Sequence, residues 1–170
     1  MTTAREEAYP KFFIGSLITP FTKRLRAAMA LRHMEPRQKH LDVGCGDGCF
    51  LSKSPCKEKI GLDKLLGDVI TKKIDFETTS VDYITMLAVV EHLDYPREAL
   101  AECARILKPD GKMIMTTPLK KAEKWIKFYI HGIEKEHKMY FDEKSMEEFL
   151  QPQFKITHYE RFLFGMNQLF

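Results

Sequence analysis

The chain has 170 residues, 44% hydrophobic and 30% charged, with a formal net charge of +3, enough for one domain with its own core. That mild charge does not predict a nucleic-acid partner, whose binders concentrate basic patches. No apolar run approaches the roughly 20 residues of a membrane span. The start, MTTAREEAYPKFF, carries acidic residues early and no apolar stretch before a cleavage site, so a cytoplasmic chain without a secretory leader is expected. Cys45, Cys49, Cys56 and Cys103 lack paired ligand spacing, so the expectation is reduced thiols and no metal site.

Thr19 to His33 has helical composition, with Thr19 as a cap, Pro20 in the first turn, and Phe21, Leu25, Ala28, Met29 and Arg32 on one face. That helix either packs on the domain or roofs a ligand site. HLDV is a short strand running into GCGDG, with a helix expected to begin near Cys49. KIGLD is a second strand, and VDYITMLAVV is an unbroken apolar run suited to a strand buried on both faces. Pro96 opens the helix PREALAECARILK, which buries Ala99, Leu100, Cys103, Ile106 and Leu107 and stops at Pro109-Asp110-Gly111. GKMIMTTP is a further strand closed by Pro118. Lys120 to Lys138 reads as a charged, aromatic segment, helical at least to His131. FDEKSMEEFLQ is a short amphipathic helix capped by Asp142, and FKITHYERFLF with the tail forms a final strand or hairpin. Strands alternating with helices predict an α/β fold, a mostly parallel sheet covered on both faces, with an antiparallel end.

The strongest local signal is Leu41-Asp42-Val43-Gly44-Cys45-Gly46-Asp47-Gly48. Glycines at alternate positions allow unusual backbone angles and let a ligand approach the main chain at the carboxyl edge of a sheet. A plain strand-turn-helix connection would use the same residues. A dinucleotide loop begun at Gly44 would need glycine where this chain has Cys49. Asp42 and Asp47 are also poor company for a pyrophosphate, and suit a ligand carrying an ammonium and a sulfonium. Asp63 ends the next strand, where an acidic side chain can accept from two ribose hydroxyls; alone it would read as a turn residue.

From His40 to Pro118 these residues resemble the Rossmann-like S-adenosylmethionine-dependent methyltransferases, in the branch related to ubiquinone-biosynthesis methyltransferases. HLDVGCGDGCFL is similar to the family's first motif, IGLD to its second, and VDYITMLAVVEHLDYPREALAECARILKPDGKMIMTTP to its later ones. The resemblance implies a doubly wound sheet and the cofactor S-adenosyl-L-methionine. It implies that Asp42, Gly44, Cys45, Gly46 and Gly48 surround the methionine part, while Asp63, followed by Lys64, holds the ribose. Asp68 and Val69 would meet the adenine, with Asp75 as the alternative acid. Leu87, Ala88 and His92 would line the methionine and sulfonium end. The chain departs from the family after Asp63, where only KLLG precedes Asp68. A parallel crossover needs about a dozen residues, so the third strand is expected to be missing, very short or differently connected.

The resemblance also implies that the acceptor elements follow the fifth strand. Trp125, Tyr129, His137 and Tyr140 are the candidate substrate-binding residues, and His92 and His137 the candidate bases should the acceptor have to lose a proton. The same residues could instead form a core face with solvated lysines. The expected organisation is one domain over 1–170, with a helical cap to residue 38, a cofactor-binding core over 39–118, and an acceptor-side segment over 119–170. The expected reaction is methyl transfer to a small molecule by in-line displacement. A protein or RNA methyltransferase and a catalytically silent binding subunit are the other two readings. The sequence sets no oligomeric state.

Overall fold

The run VDYITML forms the strand that every layer packs on. The computed structural model describes residues 13–63, 76–120 and 139–170. Its elements are α1 (Phe13–Leu31), β1 (Lys39–Val43), β2 (Glu58–Leu62), β3 (Val81–Leu87), α2 (Pro96–Ile106), β4 (Leu107–Pro118), α3 (Glu143–Leu150), β5 (Glu160–Phe162) and β6 (Asn167–Leu169). One-turn 3-10 helices lie at Leu51–Lys53 and Val90–His92. Among the described residues the sheet has six strands in the order β2-β1-β3-β4-β6-β5. The first four are parallel, and β6 and β5 close the sheet as the expected antiparallel hairpin. The expected α/β fold with a mostly parallel sheet is therefore the fold observed.

Alternation along the strands splits the interior into two unlike layers. One face carries Leu41, Val43, Ile84, Met86 and Met115 against Leu100, Cys103 and Ile106 of α2 and Met146, Phe149 and Leu150 of α3. It is mostly apolar, with buried Gln168 donating to Thr117 Oγ1 and to the Phe141 carbonyl at its border. The other packs Tyr83, Ile114 and Leu169 against Ala27, Met29 and Ala30 of α1. His40, Asp42, Thr85 and Thr116, buried polar side chains, also lie within the sheet. The Tyr83 hydroxyl accepts from the Glu35 N–H at 3.0 Å, which fixes the chain leaving α1.

Several local expectations need correction. α1 begins at Phe13, so Pro20 lies inside the helix rather than in its first turn. The apolar sequence before Pro20 continues the helix, which forgoes one backbone hydrogen bond there. Its buried stripe is Ala27, Met29 and Ala30, while Phe21 is 57% exposed and Ala28 and Arg32 are exposed. Small residues let the helix lie close on the sheet, turning it from the face that large side chains suggested. After the glycines there is a turn and the short Leu51–Lys53 helix. Pro55 forces Ser54 out of helical geometry (ψ 139°) and ends it. Lys108-Pro109-Asp110-Gly111 ends α2 but lies within the long β4, as a bulge between the Val81↔Leu107 and Tyr83↔Lys112 pairs. Lys108 Nζ anchors that bulge to Asp82 Oδ1 at 2.8 Å.

α3 starts as expected at Asp142. Its carboxylate accepts from the Ser145 N–H at 2.8 Å, and the Asp142 N–H donates to Ser145 Oγ at 2.9 Å, a reciprocal cap. The expected segment between Lys120 and Lys138 falls largely outside the described residues, as does the connection after Asp63. Among the described residues no helix is long and apolar enough to cross a membrane. Met146 of α3 is fully buried, so Met146→Ala should lower unfolding free energy by about 2–5 kcal/mol, measured by urea denaturation at unchanged m-value.

Candidate functional site

The strand order reverses beside β1: β2 lies on one side and β3 on the other. A crevice at such a switch point, outside the carboxyl ends of parallel strands, is where open α/β sheets bind ligands. Gly44, Gly46 and Gly48 leave β1 with φ of 78°, 53° and 69°, left-handed angles that disfavour side chains. A β-carbon on Gly44 would come within 2.3 Å of Val89 Cγ2. The turns after β1 and β3 are therefore interlocked. The Gly44 N–H donates to the Leu62 carbonyl at 2.7 Å, and the Gly46 N–H to Asp63 Oδ2 at 2.7 Å. Asp63 thus shapes the loop as well as bordering it. Among the described residues beyond its chain neighbours, no heavy atom lies within 4 Å of where a β-carbon on Gly48 would sit, and Lys23 Nζ, at 3.9 Å, is the one near the corresponding point at Gly46. The main chain there is open to a ligand. The Cys45 thiol instead packs on Gly61 of β2, so this residue offers the loop its main chain.

Beneath the loop, Asp42 pairs across the sheet with Thr85. Thr85 Oγ1 donates to Asp42 Oδ1 at 2.6 Å, and His40 Nε2 lies 2.8 Å from the same hydroxyl. With the hydroxyl proton given to Asp42, His40 serves as the Nε2–H donor. Burial pushes the Asp42 carboxyl up to about 7 against the opposing Thr85 bond, and Asp63 adds to the rise. Burial, with Lys59 nearby, pushes His40 down to about 4. Asp47, on the exposed rim, accepts from Lys23 of α1 at 3.0 Å.

After β3, Ala88 takes a left-handed φ of 60°, an angle that carries strain for a residue with a β-carbon and is found often at functional sites. Its N–H is held by the Thr116 carbonyl at 2.8 Å. Leu87 and Ala88 are half-buried at this edge, and His92 is exposed at the end of its one-turn helix. Next to His92, Glu91 is 1% exposed, and neither carboxylate oxygen has a hydrogen-bond partner among the described residues. Burial raises its pKa, opposed by the nearness of its own backbone N–H, too poorly placed for a hydrogen bond, and by the charges of His92 and Arg26. Arg26 of α1 donates from Nε to Asn167 Oδ1 at 3.0 Å. α1 therefore runs past the glycine loop at Lys23 and past the start of β6 at Arg26.

A cavity of 780 Å³ opens at the same edge, beyond β4 and β6. Lys120, Tyr140, Phe141, Arg161 and Phe164 are among its walls. Leu163 and Phe164 have φ of 54° and 56°, and Phe164 is 100% exposed. Of the candidate acceptor residues, Tyr140 lines this cavity; Trp125, Tyr129 and His137 lie outside the described residues, as do Lys64, Asp68, Val69 and Asp75. Sequence reasoning missed Thr85, Glu91, Arg26 and Arg161. Glu91 stands in the EHL motif and was the one open to notice; the others depend on strand register and helix placement.

Residues 16–153 match the family model described as Methyltransferase domain. A ubiquinone biosynthesis O-methyltransferase from Xanthomonas oryzae is 30% identical over 45% of this chain and 41% of its own length. The chain spans less than half the length of the curated relatives it matches. Among solved structures, a SAM-dependent methyltransferase from Archaeoglobus fulgidus superposes with a TM-score of 0.63 at 21% identity, covering 86% of this chain and 72% of that one. A structure from Haloferax volcanii, of a putative methyltransferase with its Trm112 activator, gives 0.64 at 18% identity over 88% of this chain and 78% of that one. The chain belongs to the methyltransferase-domain family, and its fold is the Rossmann-like one of these solved structures.

Two outcomes follow from the geometry. Gly44→Ala meets both a clash and a forbidden angle, so it should destabilise by about 2–4 kcal/mol, with Val89→Ala in the same chain recovering part of the loss. The second concerns pH. Between the ordinary carboxylate value of 3.8 and about 7, native Asp42 keeps a proton that the unfolded chain has lost, so its contribution falls as pH rises. Between about 4 and the ordinary 6.5, unfolded His40 binds a proton that the native ring refuses, so its contribution rises with pH. Asp42→Asn removes the first slope alone. Relative to wild type, its stability should climb by about 1.4 kcal/mol per pH unit from roughly pH 4.5 to 6, measured by urea denaturation across that range.

Proposed function

We propose that the protein transfers a methyl group from S-adenosyl-L-methionine to a small-molecule acceptor, with the cofactor over the glycine loop and the acceptor entering from the cavity beside β4. The observation that carries this reading is a left-handed glycine loop with Asp63 bordering it, Asp47 on its rim and Asp42 beneath it. Such a loop suits a ligand with cationic ammonium and sulfonium groups and no phosphate. When bound, that cofactor supplies a methyl group already activated on sulfur, open to in-line displacement.

The chain's task is then to hold, orient and keep dry. The Gly44–Gly48 main chain and Asp42 would take the methionine end, Asp63 the ribose, and Leu87 and Ala88 the wall near sulfur. The adenine contact is assigned to Asp68 and Val69, or alternatively Asp75. Tyr140 and Phe164 give the cavity aromatic walls, and Lys120 and Arg161 give it positive charge, which favours an aromatic acceptor bearing an acidic group. Orientation in a closed pocket can lower such a barrier by about 7–11 kcal/mol. His92 and His137 are the proposed bases for an acceptor that must lose a proton; Trp125 and Tyr129 are the proposed further acceptor contacts.

The protein should bind S-adenosylmethionine and its demethylated product saturably in calorimetry, with no signal from NAD; the opposite pattern overturns the reading. Asp63→Ala should weaken binding by about 1.5–3 kcal/mol for each ribose bond lost. Asp63→Asn, which keeps an acceptor for the Gly46 N–H, separates loop collapse from loss of ribose contact.

A further inference from the structure

We infer that His33, His158 and Glu160 form a binding site for a divalent transition-metal ion of the zinc type, clipping the end of α1 to β5. His33 lies in the turn just past α1, its N–H held by the Ala30 carbonyl at 3.1 Å. His158 and Glu160 are two residues apart on the chain entering β5, and His158 Nε2 stands 3.7 Å from Glu160 Oε2. The two imidazole rings are 4.4 Å apart between centroids, tilted by 43°. One donor atom from each of the three residues lies within 4.8 Å of the other two. Donors about 2.0–2.1 Å from a tetrahedral ion sit about 3.4 Å from one another, so small side-chain rotations close the set.

Two further features favour an ion here over a chance cluster. His33 Nε2 is buried and has no hydrogen-bond partner among the described residues, although buried ring nitrogens are ordinarily satisfied. Glu160 meanwhile divides its oxygens: Oε1 lies 3.4 Å from Arg32 Nη1, while Oε2 faces His158. An outer partner that fixes a carboxylate in this way is typical of metal sites. Two nitrogens and one carboxylate oxygen select zinc, cobalt or nickel over magnesium and calcium, which favour all-oxygen sets, and leave a fourth position for water. Arg32 and Lys112 add positive charge beside His33 and temper the affinity. The residues come from both ends of the chain, so the ion would tie α1, which covers one sheet face, to the C-terminal hairpin. This site is separate from the glycine loop and does not depend on the proposed activity.

The test uses the full chain stripped of metal and titrated with Zn²⁺, with Mg²⁺ as the comparison. One equivalent of Zn²⁺ should bind and raise the melting temperature, while Mg²⁺ does neither. His158→Ala, which changes a half-exposed side chain and leaves the fold intact, should weaken Zn²⁺ binding at least about tenfold and remove the thermal shift; Glu160→Gln should weaken it less. Co²⁺ should give tetrahedral d–d bands without thiolate charge transfer. Failure to bind Zn²⁺, equal response to Mg²⁺, binding unchanged in His158→Ala, or a thiolate band that assigns the ion to the cysteines would each overturn the proposal.

Discussion

A methyl group of Val89 occupies the space that a β-carbon on residue 44 would need. This exclusion brings the turns after β1 and β3 into contact at the switch point, and the remaining edge is built around it. Gly44 can then turn left-handed and hand its N–H to β2, while Ala88 accepts an unfavourable angle so that Val89 can reach across. Asp63 completes the frame by accepting from the Gly46 N–H. The crevice is thus shaped by backbone geometry at Gly44, Gly46 and Ala88.

The two sheet faces divide the labour. The α2/α3 face is mostly apolar and supplies hydrophobic burial. Across the sheet, His40, Thr85 and Asp42 are linked by short hydrogen bonds. Burying such groups is costly unless they are paired, and this row holds its members by mutual bonding with opposite displacements of their proton affinities. α1 bridges the two roles. Its later residues Ala27, Met29 and Ala30 are core, whereas Lys23 and Arg26 reach the loop rim and β6. Along Ala27–Ala30 the helix is core covering, and at Lys23 it reaches the rim of the glycine loop.

Much of this was legible in the residues. The largely apolar, β-branched run VDYITML pointed to a central strand, alternate glycines after HLDV announced the turn, and Asp142 before an amphipathic octet announced a cap. The errors share a cause. Local propensity placed Pro20 at a helix start and a helix after Gly48, but the first depends on what precedes the proline and the second on how soon Pro55 arrives. The face of α1 was read right at Met29 and Leu25, which pack with Tyr83 and Ile114, but Phe21, Ala28 and Arg32 were expected where Ala27 and Ala30 lie against the sheet. Contacts such as Arg26 with Asn167, or His33 with His158, join residues more than a hundred positions apart. No spacing rule reaches that far.

Among the described residues, the sheet ends on β5, whose outer rim of N–H and C=O groups could recruit a foreign strand. Three residues are too few to offer a long template. Arg161 adds charge in the middle, and the left-handed pair Leu163 and Phe164 swings the chain out of the sheet plane at once. The same tight turn that carries Phe164 into the cavity wall therefore keeps the edge short, where a straighter, longer β5 would offer a template for edge-to-edge stacking.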